Sequence, residues 1–99
     1  MLEQFKKSLK FIENKQNYYA GFWAVMEHCV LAFYLKNKLW DSGVIGDNEL
    51  HYYTERIQLA REEAIQTHKE YTIKVLKENE ERHTIESVVS SVYADVYNL

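Results

Sequence analysis

The stretch that decides the fold is residues 18–35, which read YYAGFWAVMEHCVLAFYL. Only Gly21, Glu27 and His28 interrupt its apolar and aromatic side chains. A helix that is apolar on all sides has to be surrounded by its own chain, by a second copy or by lipid. A membrane span needs about 20 apolar residues and is disfavoured by a charge near its centre, where Glu27 lies. The stretch therefore predicts a helix that is buried in protein and has no membrane partner.

Apolar residues at intervals of three and four predict four helical segments along the chain. These segments are residues 2–15, 17–40, 48–81 and 84–98. Residues 41–48, DSGVIGDN, form a break between the two long segments, and Asp47 or Asn48 is expected to cap the helix that follows. A weaker break lies at 82–84, where Thr84 is the expected cap. The pattern predicts a single all-α domain, residues 1–99, in which a long antiparallel helical hairpin carries two shorter accessory helices.

The central helix has two different faces at 100° per residue. One face is bulky and is expected to pack against the rest of the hairpin: Tyr19, Phe22, Trp23, Met26, Val30, Phe33 and Tyr34. The opposite face consists mainly of small residues and is expected to meet a second subunit: Gly21, Ala24, His28, Ala32, Leu35 and Leu39. The bundle is therefore expected to be completed by self-association, as a homodimer or a higher oligomer.

Composition excludes several classes of function. The formal net charge is −3 with both signs interspersed, so no duplex nucleic acid partner is expected. The single cysteine, Cys29, cannot form an internal disulfide, and the start MLEQFKKSLKF is not a secretory signal, which together predict a cytoplasmic protein. Glu80 and His83 supply the only Glu-x-x-His spacing, whereas a di-iron bundle needs two, so no metal and no cofactor are expected.

Arg61 and His68 are the sharpest pair in the sequence. Seven residues apart, they lie within about 20° of each other on the core side of the third segment. This Arg-x6-His arrangement resembles the motif of HEPN domains, and residues 17–22, NYYAGF, resemble an early helix of that family. The resemblance implies a metal-independent ribonuclease in which His68 acts as an acid or base and Arg61 steadies phosphate charge. Glu62 departs from the family pattern, in which Asn, Asp or His often follows the arginine.

Two functions follow from these features. The first is a small oligomeric helical protein without catalytic residues, which binds a protein partner or a small anionic ligand at a subunit interface. Its expected binding residues are Tyr18, Tyr19, His28, Arg61 and His68. The Tyr-, Asn- and Lys-rich composition is typical of an accessory protein of a phage or mobile element. The alternative is the HEPN-like ribonuclease that uses Arg61 and His68.

Overall fold

The structure, a computed structural model, describes residues 1–78, 89–94 and 96. Residues 1–78 form three α-helices and a short 3₁₀ helix: α1 (Leu2–Glu13), the 3₁₀ helix Lys15–Tyr18, α2 (Phe22–Asp41) and α3 (Asp47–Lys77). Residues 89–94 and 96 are also helical, and we call them the C-terminal segment. No strand occurs among the described residues, which confirms the all-α class. Within the same residues, no helix is long and apolar enough to cross a membrane.

The first two predicted segments are separate helices. α1 buries Phe5, Leu9 and Ile12, apolar residues that recur at intervals of three and four within the predicted segment 2–15. It ends at Asn14, whose side-chain oxygen accepts a hydrogen bond from the backbone N–H of Gln16 at 3.1 Å and so starts the 3₁₀ turn. As a result α2 begins at Phe22 rather than at residue 17.

The predicted break between the long helices is present as a tight turn. The carbonyl of Leu39 accepts hydrogen bonds from the N–H groups of Val44 and Ile45, at 2.9 and 3.3 Å. Gly43 has a φ of 76°, a conformation that favours glycine. The cap of α3 is Gly46 rather than Asp47 or Asn48, and the carboxylate of Glu49 accepts from the N–H of Gly46 at 3.2 Å.

α2 is the central helix, because α1 and α3 both pack on it more than on each other. Its contacts with α3 begin next to the turn, where Trp40 Nε1 donates to Asp47 at 2.8 Å. They continue to the other end of α2, where Phe22 stacks on His68. The helix α3 ends at Lys77, before the predicted residue 81, and residues 79–81 lie outside the described residues.

The C-terminal segment packs on this core through one side. Val89, Tyr93 and Val96 are buried, whereas Val92 is exposed. The remaining part of the predicted helix 84–98, the weak break at 82–84 and the Thr84 cap lie outside the described residues.

The prediction for the two faces of α2 is wrong for most of their residues, although Phe22 and Met26 of the bulky face are buried as expected. Ala32, Leu35 and Leu39 of the small-residue face are buried inside the single chain. Several bulky side chains that were expected in the core are exposed instead: Tyr19, Trp23, Val30, Phe33 and Tyr34. The chain's own helices, α1 and α3, pack on the side that holds Ala32, Leu35 and Leu39.

Candidate functional site

Arg61 and His68 both contact the C-terminal segment. Nη2 of Arg61 donates a hydrogen bond to the carbonyl oxygen of Val96 at 2.9 Å. The Nδ1 atom of His68 is hydrogen-bonded to the hydroxyl of Tyr93. Both side chains are half-buried on the core side of α3, as predicted. Within the described residues, however, no hydrogen bond joins the two side chains to each other.

The surroundings of His68 favour a neutral imidazole. Its ring is stacked on the ring of Phe22, with centroids 4.2 Å apart, and the hydroxyl of Thr72 lies 3.5 Å from Nδ1. Burial lowers the pKa of His68 and raises the pKa of the Tyr93 hydroxyl that faces it. The arrangement can hold the C-terminal segment against α2 and α3, because one ring contacts all three.

Tyr18 is buried in the core and offers little accessible surface to a ligand. Only 2% of the residue is exposed, and its hydroxyl donates to the carbonyl of Ile12 at 2.7 Å. Burial raises the pKa of Tyr18 to about 12, and the negative charges of Glu63 and Glu13 act in the same direction. Tyr18 therefore closes the turn between α1 and α2.

Tyr19 and His28, the other two expected binding residues, lie in different places. Tyr19 is exposed and makes an edge-on ring contact with Tyr71 of α3, with centroids 5.2 Å apart. His28 is half-buried: its Nδ1 lies 3.1 Å from the hydroxyl of Ser8, and its ring lies 4.5 Å from that of Phe11. Because both partners of His28 belong to α1, the imidazole is covered by its own chain. The structure thus does not gather the five predicted residues into one site.

The most exposed apolar surface of α2 extends from the side that faces neither α1 nor α3 to the edge that borders α3. It consists of Trp23, Val30, Phe33 and Tyr34, with exposed fractions of 54, 73, 43 and 56%. We call these four residues the aromatic face. Trp23, Val30 and Tyr34 lie within about 20° of one line along the helix, and Phe33 lies at one edge.

A groove runs between α2 and α3 beside Phe33 and has a volume of about 420 Å³. We call it the Arg61 groove, and its lining residues are Met26, Cys29, Val30, Phe33, Ile57, Gln58 and Arg61. Burial raises the pKa of the Cys29 thiol to about 11, while the positive charge of Arg61 acts in the opposite direction. The thiol is therefore neutral near pH 7, and Arg61 provides the charge in this groove.

Lys36 is a buried cation on the side of α2 that faces α3. Its ammonium donates to the hydroxyl of Thr54 at 2.6 Å and lies 3.6 Å from the centre of the Phe33 ring. Burial lowers the pKa of this lysine. The sequence pattern did not single it out, because a lysine in an apolar helix is more often exposed.

No family model matches this chain, and no curated protein or solved structure is similar to it. Among the described residues, no group of three or more His, Cys, Asp or Glu side chains is arranged to hold a metal ion. The Arg61 groove was missed at the sequence level because its walls come from two helices. Only the position of Arg61 on the core side of α3 pointed towards it.

Proposed function

We propose that this chain is a non-enzymatic binding protein that associates with copies of itself through the aromatic face of α2. The observation that carries the proposal is the exposure of Trp23, Val30, Phe33 and Tyr34 together on one helix. Aromatic side chains present roughly 150–250 Å² each, so the four residues expose roughly 300–450 Å². That area is comparable to the largest apolar patch of a typical monomer, which is often functional.

The charges beside the aromatic face support an antiparallel pairing of two α2 helices. Glu27 and Lys38 are both exposed and lie on the same flank of the face, eleven residues apart. In a two-fold antiparallel pair the same flanks of the two helices meet, so Glu27 of one copy faces Lys38 of the other. The axis then passes near Phe33. A stable interface buries about 800 Å² per partner, so residues beside the aromatic face have to contribute as well.

The contacts of His68 favour binding over the ribonuclease hypothesis. Its Nδ1 is hydrogen-bonded to the hydroxyl of Tyr93, and its ring is stacked on Phe22. A general acid or base has to reach a substrate proton, and these contacts hold the imidazole inside the protein. In addition, the free thiol of Cys29 is compatible with a reducing compartment, which supports the cytoplasmic location.

The proposal is tested by measuring the mass of the purified chain over a range of concentrations by sedimentation equilibrium. We expect a mass above that of the 11.8 kDa monomer, which falls on dilution. Val30→Glu should yield a monomer, because it buries a charge in the interface. The matched control is Val44→Glu, since Val44 is exposed in the turn outside the aromatic face and should not affect the mass.

Charge reversal tests the antiparallel arrangement. Glu27→Lys and Lys38→Glu should each weaken association about tenfold by placing like charges opposite each other. The double variant should recover most of the parent's affinity. A parent that stays monomeric at millimolar concentration would rule out self-association. If the Val30→Glu variant associates as strongly as the parent, the interface does not lie on the aromatic face.

A further inference from the structure

Arg61 is a cation beside an apolar groove, and no carboxylate of the described residues pairs with it. The two ion pairs of those residues join Lys15 to Glu63 and Arg56 to Glu13. A guanidinium has five N–H donors, and the carbonyl of Val96 accepts from only one of its nitrogens. The remaining donors can therefore bind an anionic group, and the planar fork of an arginine matches a carboxylate best.

The other walls of the Arg61 groove are almost entirely apolar. Five of its seven lining residues are apolar, and Gln58 is the second polar one. On α2 the lining extends from Met26 to Phe33, which corresponds to about 10 Å along the helix axis. The volume of about 420 Å³ lies within the range of roughly 300–1,000 Å³ that small-molecule sites have.

We propose that the Arg61 groove binds a single-chain alkyl carboxylate, with its carboxylate on Arg61 and Gln58 and its alkyl chain along Met26, Val30 and Phe33. The positive charge of Arg61 favours an anionic head group, and the apolar walls of the groove favour an alkyl chain. All the lining residues belong to one copy of the chain, so the inference goes beyond the proposed self-association and does not depend on it. Val30 and Phe33 belong to both the groove and the aromatic face, so the ligand and a second copy compete for these two side chains.

The binding test uses the two methionines of the chain as reporters. Met26 lines the groove, whereas Met1 is exposed at the start of the chain outside the groove. Octanoate, decanoate and dodecanoate, each below its micelle concentration, are titrated into protein labelled with ¹³C at the methionine methyl groups. We expect the Met26 signal to shift with saturation and the Met1 signal to stay in place. Each added methylene should tighten binding about fourfold until the groove is filled, since burying a methylene contributes about 0.8 kcal/mol.

Head-group analogues and variants test the role of Arg61. Decanol should bind at least about tenfold more weakly than decanoate, because its hydroxyl is a neutral acceptor and forms no charge-assisted pair with the guanidinium. Decyltrimethylammonium should bind more weakly still, because it is a cation and has no acceptor. Gln58→Glu leaves the Arg61–Val96 hydrogen bond in place and should weaken decanoate about fivefold, since like charges about 4 Å apart in water repel by about 1 kcal/mol. Gln4→Glu, the same exchange on the exposed side of α1, is the matched control and should bind as the parent does.

The possible results separate this inference from the proposed self-association. Gln58→Glu should bind decanoate about fivefold more weakly while its mass in solution stays that of the parent. Glu27→Lys should lose mass while it keeps the Met26 shift. Equal binding of decanol and decanoate would overturn the carboxylate assignment. Equal shifts of Met1 and Met26, or no shift of either, would overturn the site.

Discussion

The imidazole of His68 lies flat against the phenyl ring of Phe22, with ring centroids 4.2 Å apart and an angle of 11° between the planes. Phe22 is the first residue of α2 and is almost completely buried. The hydroxyl of Tyr93 contacts the imidazole from the C-terminal segment. A histidine that was expected to bind a ligand is therefore part of the core, where three helical segments meet.

This position makes the stability of the fold depend on pH. Burial lowers the pKa of His68 below its unfolded value of about 6.5, so the unfolded chain binds the proton more readily. The free energy of unfolding should therefore fall as the pH drops from about 7 through 6.5 and below. In the His68→Gln variant, the free energy of unfolding should fall less between pH 7.5 and 5.5 than it does in the parent. Urea unfolding at each pH measures this difference.

The matched control for this measurement is His51→Gln, because His51 is an exposed histidine on the same helix. Its unfolding should respond to pH as the parent's does. If His68→Gln keeps the parent's full dependence on pH, another group is responsible.

Arg61 should stabilise the fold through the C-terminal segment. Val96 is buried, so Arg61→Gln leaves its carbonyl without the charged donor. We expect the free energy of unfolding to fall by about 1–2 kcal/mol, the usual cost of an unsatisfied buried polar group. The exposed neighbour Glu62 provides the control. Glu62→Gln should change the free energy of unfolding by less than about 0.5 kcal/mol.

The same variants decide between the two functions of the Arg61 and His68 pair. We expect the parent to leave single-stranded RNA intact in a cleavage assay. If the parent cleaves RNA, and folded Arg61→Gln and His68→Gln do not, the ribonuclease hypothesis replaces the binding hypothesis.

The buried charge of Lys36 should lower the stability of the folded protein. Its ammonium is removed from water and has a hydroxyl and a ring as partners within the described residues, rather than a carboxylate. Lys36→Met keeps the apolar stem and removes the charge, while the hydroxyl of Thr54 still donates to the carbonyl of Leu50 at 2.7 Å. We expect the free energy of unfolding to rise by about 1 kcal/mol. Lys38→Met, at an exposed position of the same helix, should leave stability nearly unchanged, and a clear loss in Lys36→Met would contradict the argument.

The turn between α2 and α3 offers a matched pair of glycines. Gly43 has a φ of 76°, which an alanine adopts only with strain, whereas Gly46 has a φ of −90° and open space around its Cα. Gly43→Ala should lower the free energy of unfolding by about 1–2 kcal/mol. Gly46→Ala should change it by less than about 0.5 kcal/mol in the same thermal unfolding measurement. If both variants lose the same free energy of unfolding, the positive φ of Gly43 does not explain the loss.

Local patterns predicted the helices well because each pattern reflects its own segment. The apolar stripe of Phe5, Leu9 and Ile12 is buried as expected, and the glycines at 43 and 46 lie in the turn. Helix ends were less predictable. The side chain of Asn14 starts a 3₁₀ turn that separates α1 from α2, and apolar spacing carries no signal for that contact.

The candidate sites could be predicted only in part. The spacing of Arg61 and His68 placed both on the core side of α3, which the structure confirms. It did not show that Val96 and Tyr93, about 30 residues later in the chain, would be their partners. The groove beside Arg61 depends on the separation of two helices, and sequence spacing within either helix does not contain that distance.

The sequence by itself determined that the chain is helical, where its tight turn lies, and that residues 18–35 have to be packed against other protein. The tertiary structure alone decided which side of α2 is covered. Hydrophobicity favoured the bulky side, but α1 and α3 cover the side that holds Ala32, Leu35 and Leu39, together with Phe22 and Met26. Trp23, Val30 and Tyr34 are consequently left exposed, because packing depends on shape as well as on apolar area.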